Sequence, residues 1–106
     1  MSSAPSRPGP AVSVPKDAVI VELRPDVLTF ETRDCLLPGT IVTMRLLMEG
    51  NALPMQLPTA ECLVVDKDRR GFLYHARIPL SGLPGPDQDL IRLFIAKGRG
   101  APQLVP

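Results

Sequence analysis

A chain of 106 residues is long enough for one domain with one modest hydrophobic core. Twelve basic and eleven acidic residues leave a net charge of +1, whereas a non-specific nucleic-acid binder usually carries a strong basic excess. The thirteen prolines lie mainly at the ends of the chain and between apolar runs, which argues against a mostly helical protein.

Both ends of the chain are predicted to be flexible tails. Residues 1–15 are rich in Ser, Pro and Ala, and residues 99–106 follow the last periodic segment, so the folded domain is predicted to span 16–98. The N-terminus lacks the apolar segment of a signal peptide, and no apolar run approaches the about 20 residues of a membrane helix. We therefore expect a cytoplasmic protein without a membrane insertion.

The first half of the domain is predicted to begin with two strands and two turns. Residues 18–23 form an apolar run of strand length, and residues 27–32 alternate between apolar and polar. Residues 24–26 join them in a turn, because proline fixes φ and aspartate bonds its own backbone. Residues 37–40 match a type II turn, in which Gly39 supplies the positive φ.

Two further strands follow, and only the second of them contains prolines. Residues 40–48 form the clearest strand, with Thr43 and Arg45 on one face and the apolar side chains of Val42, Met44, Leu46 and Met48 on the other. Residues 53–57 alternate too, but Pro54 and Pro58 restrict this piece to an edge strand or an extended loop. Its methionine and those of the preceding strand are interpreted as core residues.

Residues 60–65 and 72–78 are predicted to form a hairpin around a charged loop at 66–71, where Gly71 can adopt a left-handed conformation. The side chains predicted to face inward are Phe72, Tyr74, Ala76 and Ile78.

After this hairpin the apolar period changes to that of a helix over residues 87–97. Asp87 is a suitable N-cap, and Lys97 lies in the last turn before Gly98. The residues that form the apolar stripe are Leu90, Ile91, Phe94 and Ile95. A helix this short is marginal alone, so we expect it to dock on the strands.

Five to six short strands followed by one C-terminal helix resemble the PilZ domain of bacteria, the family that binds cyclic di-GMP. The resemblance also includes the hairpin at 18–32, the Pro38-Gly39 turn, the strand start at 71–74 and the closing segment 90–95. It implies a mainly β protein with a small antiparallel β-barrel of the PilZ type. An unrelated oligonucleotide-binding barrel is the other possibility, but one Tyr, three Phe and no Trp are few for stacking bases.

The ligand motifs of the family are degenerate in this chain. The pattern (Asp/Asn)-x-Ser-x-x-Gly corresponds here to Glu22, Arg24 and Val27. The pattern Arg-x-x-x-Arg is reduced to Arg7, because Ala11 stands four residues later. Paired guanidiniums grip phosphates in a bidentate manner, and valine is poor where φ must be positive. We expect no tight cyclic di-GMP binding; the alternative is a divergent receptor site that uses Arg7, Glu22 and Arg24.

The sequence contains no arrangement typical of catalysis or of a metal site. It lacks paired carboxylates, a nucleophile motif and a glycine-rich phosphate loop, so we predict no enzyme, no cofactor and no metal. Cys35 and Cys62 are interpreted as reduced, partly buried residues.

The preferred hypothesis is a non-catalytic regulatory or adaptor domain that contacts another bacterial protein, and an oligomer is compatible with the sequence. Leu73, His75 and Arg77 are predicted to face outward from one strand. This mixture of apolar, aromatic and cationic groups is typical of interface centres. These three residues are therefore the candidate protein-binding site.

Overall fold

The computed structural model describes residues 11–98 and 100–106. Within them the chain forms eight strands and one helix, which confirms the mainly β class with a helix near the C-terminus. The elements are β1 (Ala11–Ser13), β2 (Val19–Leu23), β3 (Val27–Thr32), β4 (Ile41–Met48), β5 (Asn51–Pro58), β6 (Glu61–Asp68), β7 (Gly71–Pro79), α1 (Gly85–Lys97) and β8 (Gln103–Val105).

The strands form two four-stranded sheets. In one sheet β5 pairs with one edge of β4, while β1 and β8 pair with β4 at residues 41–43 and 45–47. The other sheet has the order β2-β3-β7-β6 and is antiparallel throughout. The predicted barrel does not close, and eight strands replace the expected five to six. One physical reason lies in β5, where Pro54 and Pro58 cannot donate hydrogen bonds to a further strand.

The two short strands β1 and β8 occupy segments that the sequence predicted to be flexible. The backbone of β1 runs parallel to β4, and Val14 after it is buried. β8 runs antiparallel to β4 farther along, with Leu104 opposite Leu46. Both strands satisfy backbone groups of β4 that would otherwise be free, and three residues are too few to show a period in the sequence. Residues 1–10 of the predicted N-terminal tail lie outside the described residues.

The hydrophobic core lies where the two sheets and the helix meet. It is made of Val14, Leu28, Phe30, Leu36, Val42, Met44, Leu46, Met48, Leu53, Met55, Leu57, Ala76, Ile78, Leu80, Leu83 and Ile91. The predicted apolar face of β4 is buried, and Met44, Met48 and Met55 lie in the core as interpreted. The type II turn is confirmed as well, since Gly39 has a φ of 90° and the Thr40 N–H donates to the Leu37 carbonyl at 3.0 Å.

The β6–β7 hairpin extends beyond the core, which changes the predicted faces of β7. Ala76 and Ile78 are buried as expected, but Phe72 is 45% exposed and Tyr74 is half-buried. The predicted inward position of Phe72 is therefore wrong. The connecting loop is also shorter than predicted, because residues 66–68 continue β6 and only Arg69 and Arg70 separate the strands.

The helix begins two residues before the predicted start. Pro84 is its N-cap and makes no side-chain cap, whereas Asp87 lies in the first turn, where its carboxylate faces the positive end of the helix dipole. The predicted C-terminal cap is confirmed, since Gly98 has a φ of 63°. Ile91 is fully buried, while Phe94 is partly exposed.

Candidate binding surface

The two sheets end in two edge strands of eight residues, β5 and β6. In β5 the Thr59 N–H, just past its end, donates to the Thr40 carbonyl at 2.8 Å. Because the backbone groups of successive residues point to opposite sides of a strand, those of residues 54 and 58 point away from β4. Those positions are Pro54 and Pro58, so the prolines remove free-edge donors without removing any bond to β4.

The side chains of β5 also disfavour pairing at its free edge. Leu53, Met55 and Leu57 are buried against the core, and the residues between them are exposed. An incoming strand would find neither regular donors nor exposed large apolar groups along β5. We infer that β5 is protected against pairing with another chain.

The direction of the backbone groups in β6 follows from its neighbour β7. At the end of β7 the Leu80 N–H donates to the Asp26 carbonyl at 2.8 Å, on the side of β3. Alternation then directs the backbone groups of His75 and Arg77 to the opposite side, towards β6. The Ala60 N–H, just before β6, indeed donates to the Arg77 carbonyl at 2.9 Å.

The free edge of β6 therefore carries unpaired backbone donors and acceptors within the described part of the chain. Positions 61 and 63 lie opposite Arg77 and His75 and turn their backbone groups towards β7. The backbone groups of Cys62 and Val64 point away from the sheet as a consequence. β6 contains no proline, so nothing in its sequence removes these donors.

The side chains at this edge are exposed and apolar. Leu63 is 53% exposed, Val64 55% and Val65 46%, and we call these three residues the β6 edge segment. A bulge between Val64 and Asp66 interrupts the ladder to β7. Bulges bend an edge, so regular pairing with a further strand is confined to the residues before Val65.

The three residues predicted as a protein-binding site lie together on one side of β7. The His75 Nε2 is 3.1 Å from the Glu31 Oε2, and the Arg77 Nη1 is 3.1 Å from the Glu61 Oε1. Leu73 is half-buried rather than exposed. Because His75 lies opposite Leu63, this face is continuous with the β6 edge segment. His75 and Arg77 already contact carboxylates within the domain, and the exposed apolar side chain on their face is Leu63 of β6.

The tip of the hairpin is held by an ion pair to the end of β3. The Arg33 guanidinium donates two hydrogen bonds to the Asp68 carboxylate, at 2.9 and 2.7 Å. These bonds, together with one from the Arg70 N–H, hold the pKa of Asp68 below its ordinary value. The Lys67 ammonium lies 5.3 Å from the centre of the Phe72 ring, in the range of a cation–π contact.

The residues of the alternative nucleotide site are only partly brought together. The Arg24 Nε donates to Glu22 Oε2 at 2.9 Å, so the two charges neutralise each other. Val27 is buried, and no described residue other than glycine has a positive φ, so the turn forms without the glycine of the family motif. Arg7 lies outside the described residues.

No family model, curated protein or solved structure has significant similarity to this chain. Among the residues with described structure, no helix has the length and apolar content needed to cross a membrane.

Proposed function

We propose that this protein is a non-catalytic adaptor domain that binds another protein by adding an extended segment of that protein to the free edge of β6. One observation carries this proposal: an edge strand without proline exposes Leu63, Val64 and Val65, and its backbone is free for regular pairing up to Val64. Strand addition uses the free backbone groups for affinity and the alternating side chains for specificity.

The expected partner is an extended segment with apolar residues on both of its faces. Successive residues of a strand point to opposite faces, so Leu63 and Val64 offer apolar contacts on both sides of the sheet. On the face of Leu63, Arg77 contacts Glu61 and His75 contacts Glu31 within the domain. Before the bulge, the free edge should therefore recognise its partner mainly through apolar contacts, and affinity should change little with salt concentration.

The biological setting that we propose is regulation in bacterial signalling, with an architecture related to that of PilZ domains. The support comes from the hairpin β2–β3, the turn at Gly39 and the succession of strands before a single helix. The neutralised pair Arg24–Glu22 favours the adaptor role over the alternative role as a cyclic di-GMP receptor.

Peptide selection tests the proposal without knowledge of the natural partner. A phage-displayed library of extended peptides is selected on the intact protein, and the recovered peptides are titrated by calorimetry. We expect peptides with several consecutive apolar residues. On binding, amide exchange measured by NMR should slow at Cys62 and Val64, whose N–H groups point to the free edge.

A matched pair of variants decides whether the edge is responsible. Val64→Pro removes one outward N–H from β6, and Gln56→Pro removes one from β5, neither at a cost to the sheet hydrogen bonds. We expect at least about tenfold weaker peptide binding for Val64→Pro and unchanged binding for Gln56→Pro, since about 1.4 kcal/mol corresponds to a factor of ten. Equal binding by the two variants, or selected peptides that protect other amides, would overturn the proposal.

A further inference from the structure

The two cysteines, far apart in sequence, lie side by side in the structure. Cys35 is exposed in the connection between β3 and β4, and Cys62 is partly buried in β6. The Leu36 N–H donates to the Cys62 sulfur at 3.4 Å. Because Leu36 directly follows Cys35, this bond holds the backbone of Cys35 against the Cys62 thiol.

The surroundings of the thiols support the same proximity. Burial raises the pKa of the Cys62 thiol, and the neighbouring Cys35 thiol contributes to the rise. Burial also raises the pKa of the Tyr74 phenol, again with a contribution from Cys35. Cys35 is thus the accessible member of a small cluster, and Cys62 is the shielded one.

We propose that Cys35 and Cys62 are a modification site, which closes reversibly into an intramolecular disulfide when a low-molecular-weight disulfide acts as the oxidant. This inference goes beyond the proposed adaptor role and does not depend on it. Two thiols must be close neighbours to form a disulfide, and the Leu36–Cys62 hydrogen bond holds these two residues near each other.

The reaction proceeds by two thiol–disulfide exchanges. The exposed Cys35 loses its proton, and its thiolate attacks one sulfur of the oxidant, which forms a mixed disulfide and releases one thiolate. The Cys62 thiol then loses its proton and attacks the Cys35 sulfur, which forms the internal disulfide and releases the second thiolate. The protein loses two protons and two electrons, and the oxidant is reduced to two thiols.

The internal disulfide would tie the connection between the two sheets to the edge strand β6. The bond would close a loop from residue 35 to residue 62, which contains all of β4 and β5. Cross-links that close long loops restrict the unfolded chain, so the oxidised protein should melt several degrees higher than the reduced protein.

Mass spectrometry with oxidised glutathione as the oxidant tests this inference. The intact protein should lose the mass of two hydrogen atoms and retain no glutathione. Trypsin places Cys35 and Cys62 in separate peptides, 34–45 and 46–67, so an internal disulfide appears as these two peptides joined in a monomer. Dithiothreitol should restore the original mass.

Single-cysteine variants separate the two steps. Cys62→Ser should accumulate one glutathione at Cys35, because no second thiol resolves the mixed disulfide. Cys35→Ser should react more slowly, because Cys62 is shielded and burial disfavours its thiolate. A stable glutathione adduct on the unaltered protein, or joined peptides found only in dimers, would overturn the inference. Neither of those results requires that a variant folds.

Discussion

The edge strands β5 and β6 have the same length and opposite character. β5 buries its large apolar side chains and places Pro54 and Pro58 where a free N–H would otherwise point outward. β6 has no proline and exposes the β6 edge segment. Free edges favour association, and soluble proteins usually blunt them. The contrast shows that prolines block the edge of β5, whereas β6 has no proline and keeps its outward N–H groups.

The largest expected effect is a stability difference between two leucines at equivalent edges. Leu53→Ala in β5 should lower the free energy of unfolding by about 2–5 kcal/mol, because the side chain is 6% exposed and its loss leaves a cavity. Leu63→Ala in β6 should change it by about 0.5 kcal/mol or less, since that side chain is 53% exposed. Urea denaturation measures both, and similar values for the two variants would contradict the comparison.

A second prediction concerns a substitution that makes the β5 edge able to pair with another strand. Pro54→Val restores one outward N–H to β5 and adds a side chain that favours strands. We expect Pro54→Val to self-associate increasingly as protein concentration rises, measured by sedimentation velocity. Pro54→Lys should associate less than Pro54→Val, because a charged side chain disfavours pairing between edges. If Pro54→Val is no more associated than the unaltered protein, then proline is not what closes the β5 edge.

A smaller effect concerns the ion pair that anchors the tip of β6. Because the folded state lowers the pKa of Asp68, its contribution to stability is present above the ordinary value of about 4. This contribution is lost as the pH falls through the lower value of the folded state. Asp68→Asn should therefore melt slightly below the unaltered protein at pH 7, and thermal melts should converge in strong acid. A melting difference that stays constant with pH would show that the charge is not responsible.

The smallest expected signal is that of cyclic di-GMP. Arg24 and Glu22 neutralise each other, and the Arg-x-x-x-Arg stretch is missing, so we expect no tight binding of the ligand's phosphates. Calorimetry should give no dissociation constant at or below about 1 μM, which corresponds to about −8 kcal/mol. Tight binding would contradict the proposed β6 site and place the binding surface on the β2–β3 hairpin instead. Glu22→Gln, which frees Arg24, then serves as the matched comparison.

The candidate site could be predicted from the sequence only in part. The outward side of β7 was predicted, and it contains His75 and Arg77. Their ion pairs with Glu31 and Glu61 were not predicted, because cross-strand partners depend on register between separate segments. The exposed run in β6 has a visible signal, three consecutive apolar residues, but such a run equally fits a buried strand.

Local patterns determined much of the secondary structure. The alternation in β4, the turn at Gly39 and the helix end at Gly98 depend on neighbouring residues, whose side-chain spacing and φ preferences act within a few positions. Proline likewise limited residues 53–57 to an edge strand or an extended loop from the sequence alone, because the missing N–H is a property of the residue itself.

Only the tertiary structure decided which segments meet. It placed β1 and β8 along one edge of β4, carried Phe72 beyond the core, and brought Cys35 beside Cys62. The first and last of these outcomes bring together residues that are distant in the chain, and the second depends on where β7 extends past the core. How the sheets pack and how far a strand extends beyond the core are not encoded in any local period.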